Sequence, residues 1–285
     1  MPWWSGWTER GAAGRSSRRR MLKEVAAGIG DLLFPSQCVG CGDMGRIRPG
    51  AFWCGPCWDE LPWIQPPWCP ICGVPYLSAP KDREDAWCGD CIGGNHVFDA
   101  ARSAVFYEGK VRQGILQLKF GGKLSWVPAL SELLFEAIAR DPWNDRVDLV
   151  IAVPLHRRRL RHRGFNQSSL LARALARRLP KPCRLDALER NRWTEPQTRL
   201  QRADRLENVK GAFTVKHPGE VEGRTVLLVD DVFTTGTTLN ECARTLKKAG
   251  ASAVIALTVA RSIPKHRFHK KSASSVYPEG SVCAE

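Results

Sequence analysis

The rhythm of apolar and polar positions changes twice along this chain. Leu22, Val25, Ile29, Leu32 and Leu33 recur at helical spacing and predict a short amphipathic helix over 21–37, ending at Phe34-Pro35. From Cys38 to about residue 95 that periodicity disappears, and Trp, Pro, Gly and Cys take over. Regular patterns return near Phe98. Ala101–Tyr107 reads as a strand and Lys110–Phe120 as a helix. Leu124–Arg140 reads as a longer helix, with Leu130, Leu133, Leu134, Ala137 and Ile138 on one face. Strands are expected at Val147–Val153, Phe213–Val215, Val226–Val229 and Val254–Val259, and helices at Ser168–Leu179 and Leu239–Ala249. This alternation predicts an α/β domain over 98–261, a mainly parallel sheet with helices on both faces. Residues 262–285 are polar and read as a flexible tail. Residues 1–20 are rich in Trp, Gly, Ser and Arg. They read as a disordered or over-extended start, with Met21 as the alternative first residue.

The aperiodic stretch over 38–95 is too short and too loop-rich to be held by an apolar core alone. Of eleven cysteines in the chain, eight form four CxxC pairs here: Cys38/Cys41, Cys54/Cys57, Cys69/Cys72 and Cys88/Cys91. The spacing runs CxxC, x12, CxxC, x11, CxxC, x15, CxxC. Zinc takes four soft ligands in a tetrahedron, and each CxxC turn supplies two from one side. The spacing therefore suggests a double zinc ribbon, with Cys38, Cys41, Cys54 and Cys57 on one ion and Cys69, Cys72, Cys88 and Cys91 on the other. Interleaved pairing, a single occupied site and an iron–sulfur cluster are the alternatives. A closed four-thiolate site leaves no open position, so the expected role is structural. Cys183, Cys242 and Cys283 have no partner spacing, and the first two read as packing residues.

Metal is preferred over disulfides because the chain reads as cytoplasmic. Ser17-Arg18-Arg19-Arg20-Met21-Leu22-Lys23 imitates a twin-arginine export signal, but Glu24 and Asp31 interrupt the apolar stretch after it. In the cytoplasm thiols stay reduced. No apolar run approaches the ~20 residues of a membrane helix. The 285 residues are 43% hydrophobic, enough for a core, and carry a net charge of +14 with a pI near 9.6. That charge favours an anionic partner, whether a phosphorylated small molecule, a nucleic acid or a membrane surface.

The segment Val226-Leu227-Leu228-Val229-Asp230-Asp231-Val232-Phe233-Thr234-Thr235-Gly236-Thr237-Thr238 narrows the choice. An apolar strand delivers two adjacent carboxylates, then a small hydroxyl-rich loop opens a helix. Free backbone N–H groups and the positive end of the helix dipole favour a phosphate at that loop. The acid pair beside it can grip vicinal hydroxyls. Phosphate and diol together describe a ribose 5-phosphate. No Gly-x4-Gly-Lys-Ser/Thr occurs, so this is not a Walker loop.

Two further segments precede it in the chain. Val153-Pro154-Leu155-His156-Arg157-Arg158-Arg159-Leu160-Arg161-His162-Arg163-Gly164-Phe165-Asn166-Gln167 follows a strand's carboxyl end, the usual ligand edge of an α/β sheet. Its arginines suit phosphate oxygens, although a solvated basic helix or a nucleic-acid patch would look the same. The long polar run from Arg190 to Val209 reads as a lid that would exclude water.

The acid-pair segment resembles the phosphoribosyl pyrophosphate (PRPP) signature of type I phosphoribosyltransferases. The three segments together, with the cysteine module, resemble the ComF family (ComFC or GntX type) from about Leu22 to Arg261. That resemblance implies a type I phosphoribosyltransferase-like parallel sheet preceded by a small double zinc ribbon. It implies that the loop Thr234, Thr235, Gly236, Thr237 and Thr238 holds the 5-phosphate. Asp230 and Asp231 would bind the ribose hydroxyls and stabilise charge developing on the sugar. Mg²⁺ would bridge pyrophosphate and ribose oxygens. Lys119 would reach the pyrophosphate, with Arg157, Arg163 and Arg199 as further ligands. The expected activity is phosphoribosyl transfer to an acceptor the sequence does not name, linked to DNA uptake in natural transformation. The alternative is an accessory protein that binds single-stranded DNA beside competence or recombination proteins and uses the fold as a scaffold. Oligomeric state is not written in the sequence.

Overall fold

The computed structural model describes residues 37–45, 47, 51–76, 87–94, 96–193 and 209–262. The expected amino-terminal helix, the two loose ends, Arg199 and most of the Arg190–Val209 run lie outside these residues. The chain divides after Leu61 into two compact units.

In the first unit a short helix, α1 (Gly55–Asp59), starts directly after Cys54 with Pro at its beginning, where a missing N–H costs nothing. Cys57 lies buried on that helix. The second unit begins at Pro62 and includes the second cysteine group, of which Cys88 caps and Cys91 lies within α2 (Gly89–Ile92).

The α/β core follows within the second unit. Strand β1 (Ala100–Phe106) leads to helices α3 (Gly109–Gly121) and α4 (Trp126–Ala139). Next come β2 (Leu149–Ala152), α5 (Arg157–Arg163), α6 (Gln167–Arg178) and the short β3 (Cys183–Arg184). An antiparallel pair, β4 (Leu188–Arg190) with β5 (Phe213–Val215), precedes β6 (Thr225–Phe233), α7 (Thr237–Lys248) and β7 (Ala253–Arg261). The main sheet has the order β1-β7-β6-β2-β3, and every pairing in it is parallel.

Both faces of this sheet are covered, as a parallel sheet requires. Side chains alternate along each strand. Leu149, Ile151, Val226, Leu228, Val254 and Ala256 share a buried cluster with Leu239, Cys242, Ala243 and Leu246 of α7. The intervening Val150, Ala152, Leu227, Val229, Ile255 and Leu257 are equally buried on the other side, where α4 and α6 pack on each other and on the strands. From β2 the chain steps to β3 at one edge, whereas from β6 it steps to β7 on the side of the other edge. The loops leaving β2 and β6 therefore part in opposite directions, which opens a crevice at the carboxyl edge of the sheet.

Candidate functional site

The acid pair stands at that crevice. Strand β6 runs four residues past the expected end at Val229, so Asp230 is still in register with Thr258 of β7 and Phe233 with Arg261. Successive side chains diverge, and each carboxylate finds its own partner. Asp231 takes an ion pair from Lys119 of α3 at 2.9 Å. Asp230 accepts from the buried Ser168 hydroxyl at 2.7 Å and from the Asp231 backbone N–H at 2.9 Å. Burial first, and then the neighbouring Asp231 charge, pushes the Asp230 carboxyl up to about 7, against the pull of Ser168 and Lys119. Burial works against the Lys119 ammonium, yet the two carboxylates, Asp231 foremost, outweigh it and keep its pKa above the ordinary value.

Ser168 is placed by local capping. Asn166 caps α6, its Oδ1 accepting from Ser168 N at 3.1 Å while its Nδ2 donates to Val153 O at 3.0 Å. The loop after β2 and the first turn of α6 are thus tied together under Asp230.

The loop after β6 turns through Gly236, whose φ of +75° is open to glycine at no steric cost. A Cβ at this position would also lie 2.7 Å from the Phe233 ring. Asn240 N donates to Gly236 O at 2.8 Å, and the Thr235 and Thr237 hydroxyls lie 2.7 Å apart. The twelve-residue α7 then points its amino terminus and positive dipole end at the crevice.

The crevice has a volume of about 920 Å³. Lys119, Arg158, Arg159, Arg163 and Arg190 line it against Asp230 and Asp231, five cations against two carboxylates. Four of its basic side chains come from the segment after β2. It forms the basic helix α5, capped by His156 Nδ1 accepting from Arg158 N at 3.2 Å and closed by Gly164 in the left-handed conformation. Positions 158, 159, 162 and 163 fall on one helical face, and that face is the one lining the crevice. Arg163 lies over the exposed Phe120 ring at 5.3 Å and bonds Gln167. Burial lowers its pKa, with Asp231 opposing. Arg158 and Arg159 lie 5.7 and 5.4 Å from the Trp193 ring centre.

Each cysteine group is compact. Sγ atoms of Cys38, Cys41, Cys54 and Cys57 lie within 4.8 Å of one another, as do those of Cys69, Cys72, Cys88 and Cys91. The edges Cys41–Cys54, Cys69–Cys91 and Cys72–Cys88 measure 3.7, 3.6 and 3.5 Å. A tetrahedron with Zn–S bonds of ~2.3 Å has edges of ~3.8 Å, whereas a disulfide needs ~2.05 Å. The donor set fits zinc. The Cys72 thiol, by hydrogen bonding, draws Cys69 down to about 3 against burial. Burial opposes the Cys38 thiolate, but backbone donors led by Cys54 hold it down to about 6.

Residues 29–92 match the double zinc ribbon domain and residues 166–279 the phosphoribosyl transferase domain. DNA utilization protein YhgH of Escherichia coli (strain K12) is 34% identical over 198 residues, covering 68% of this chain and 84% of that protein. Competence protein F of Haemophilus influenzae is 30% identical over 235 residues, 80% of this chain and 98% of its own. The chain belongs to the ComF family. Competence protein ComFC of Bacillus subtilis is also similar, 29% identical over 223 residues, 76% of this chain and 87% of its own.

Within this ComF-family chain the structure gathers Lys119, Arg163, Asp230, Asp231, Thr234, Gly236, Thr237 and Thr238 at one crevice. Thr235 does not line it and faces Thr237. Arg157 is 76% exposed and turned to Glu189 at 2.7 Å, away from the crevice. Arg199 is outside the described residues. Sequence reasoning missed Ser168 and Arg190 as site residues, and it named Arg158, Arg159 and His162 only as part of the basic segment. Treating 157–163 as a helix would have singled out those three. Arg190 ends β4, lies over Phe213 at 5.4 Å, and is lowered to about 10 by burial and then by Arg159. A three-residue strand gives no periodicity from which to infer that.

Proposed function

We propose that this chain binds PRPP with Mg²⁺ and transfers its phosphoribosyl group with release of pyrophosphate. The observation that carries this reading is the acid pair at the end of β6, with Lys119 on Asp231 and a helix amino terminus directly after it. In this reading the α7 loop takes the 5-phosphate through backbone N–H groups and threonine hydroxyls. Asp230 and Asp231 hold the ribose hydroxyls. Their negative charge favours the cationic character that grows on the sugar as the C1–O bond breaks. The bonding pair leaves with pyrophosphate, toward Lys119 and Arg163. The acceptor atom forms the new bond at C1 and gives its proton to solvent. Since Lys119 already neutralises Asp231, Mg²⁺ fits as an ion delivered on the diphosphate, supplying charge neutralisation to the leaving group, rather than as one held by the chain.

The relatives' names, DNA utilization and competence proteins, support placing this activity in DNA uptake or use. Thiol-rich ribbons suit the bacterial cytoplasm. Among the described residues no helix is long and apolar enough to cross a membrane.

One observation favours a second reading, single-stranded DNA binding on the same surface. Trp193 carries Arg158 and Arg159 beside its ring, and exposed Phe120 carries Arg163, a combination of stacking faces and cations that suits unpaired bases. Binding of PRPP and of an oligothymidylate, each titrated against wild type and the Asp230→Asn/Asp231→Asn double variant, separates the two. PRPP binding lost in the variant supports transfer. DNA binding retained in the variant, without PRPP binding in wild type, supports the scaffold reading.

A further inference from the structure

The second cysteine group is built onto the same sheet face as the phosphate loop. Cys69, Cys72, Val74 and Cys91 share one apolar cluster with Phe98, Phe233, Leu239 and Cys242. The knuckle between Cys69 and Cys72 is locked to β1. Ala101 N donates to Ile71 O at 2.6 Å, and Gly73 approaches so closely that a Cβ there would sit 2.3 Å from Ala101 O. Only glycine permits that approach.

A single cation spans from this knuckle to the phosphate loop. Arg261, the last residue of β7, is 5% exposed. Its Nη2 donates to the Cys72 carbonyl. Its guanidinium carbon lies 3.8 Å from the centre of the Phe233 ring. Phe233 in turn fills the space beneath Gly236, 2.7 Å from where a Cβ would stand. The chain of contacts is therefore thiolate knuckle, Arg261, Phe233, Gly236. A buried guanidinium is costly without its acceptor, so Arg261 is held flat on Phe233 only while the Cys72 carbonyl stays in place.

We propose that Arg261 is a positioning residue through which the second four-cysteine site sets the shape of the phosphate loop. With metal bound, Cys72 is fixed, Arg261 lies on Phe233, and Phe233 supports the left-handed turn that aims the α7 amino terminus. With metal removed, the bonds that clamp the knuckle are lost, the carbonyl is free to move, and the loop loses its support. Coupling of this kind is reciprocal, so a ligand on the loop also tightens metal binding. The inference concerns the loop's shape and goes beyond PRPP transfer, so it is tested without PRPP.

The test is hydrogen exchange on the full chain, zinc-loaded and chelator-treated, with Arg261→Met and Phe233→Leu beside wild type. Both variants keep apolar bulk in the core. In wild type, chelation should speed exchange at the start of α7, at Asn240 whose N–H bonds the Gly236 carbonyl, about tenfold while α6, on the other face, stays protected. Both variants should show that fast loop exchange with their zinc content unchanged. Loop exchange in the zinc-loaded variants equal to wild type overturns the proposal. So does a loop that stays protected when the Cys69–Cys91 segment opens. Failure of PRPP to bind wild type would count against phosphoribosyl transfer and leave these exchange results as they stand.

Discussion

Asp230 is the carboxylate whose chemistry is most altered by its surroundings. Its folded pKa, pushed to about 7, stands above the ordinary 3.8. The folded state therefore holds this proton more tightly than the unfolded chain does. The group's contribution to stability is fully present below pH 3.8 and is lost as pH rises through about 7. Ligand binding runs the other way, because ribose hydroxyls donate to an ionised carboxylate. PRPP affinity is expected to rise with pH through about 7, and Ser168→Ala, which removes a donor to the ionised form, should move the midpoint upward. Calorimetric titrations from pH 5.5 to 8.5 read both. A flat profile would remove Asp230 from the site. Lys119→Met should raise the midpoint as well and weaken PRPP binding, by ~1.5–3 kcal/mol if one charged hydrogen bond is lost. The sequence made Asp230 and Asp231 legible because strand, acids and loop come in one contiguous run. Ser168 was hidden, since a serine at a helix start usually signals only capping.

At the scale of elements, the loop–helix junction depends on one backbone conformation. Gly236→Ala forces a Cβ into the left-handed region, costing about 1–2 kcal/mol before any clash with the Phe233 ring. Urea unfolding should show at least that loss, together with weaker PRPP binding; a neutral substitution would mean the turn is not constrained. The long helices and buried strands were legible from periodicity, and their observed ends differ from expectation by a few residues. Strand β6 ran past its apolar segment because Asp230, Val232 and Phe233 keep pairing with β7. Helix α5 was obscured because Leu160 is its only aliphatic residue, leaving no apolar stripe to count. Its amphipathicity is one of charge, with arginines toward the crevice.

For the molecule as a whole, the two cysteine groups belong to different compact units, one ending at Leu61 and the other beginning at Pro62. CxxC spacing made the four-and-four grouping legible, but spacing carries no information on what each group packs against. Metal analysis of protein purified without chelator is expected to find about two zinc ions per chain, matching two four-thiolate sites. None would overturn the ribbon reading. Chelation should then damage the second unit more than the small size of its cysteine group suggests, because Cys69, Cys72 and Cys91 lie in the same core as α7. The charge excess of +14 fits a basic crevice and leaves open surface for a polyanion. The most direct test of the central claim is calorimetry of PRPP with Mg²⁺ against wild type and Asp230→Asn/Asp231→Asn. Binding in wild type that is abolished in a double variant with unchanged circular dichroism is the predicted result. Equal affinity in the two proteins, or no binding in wild type, would contradict the phosphoribosyl site.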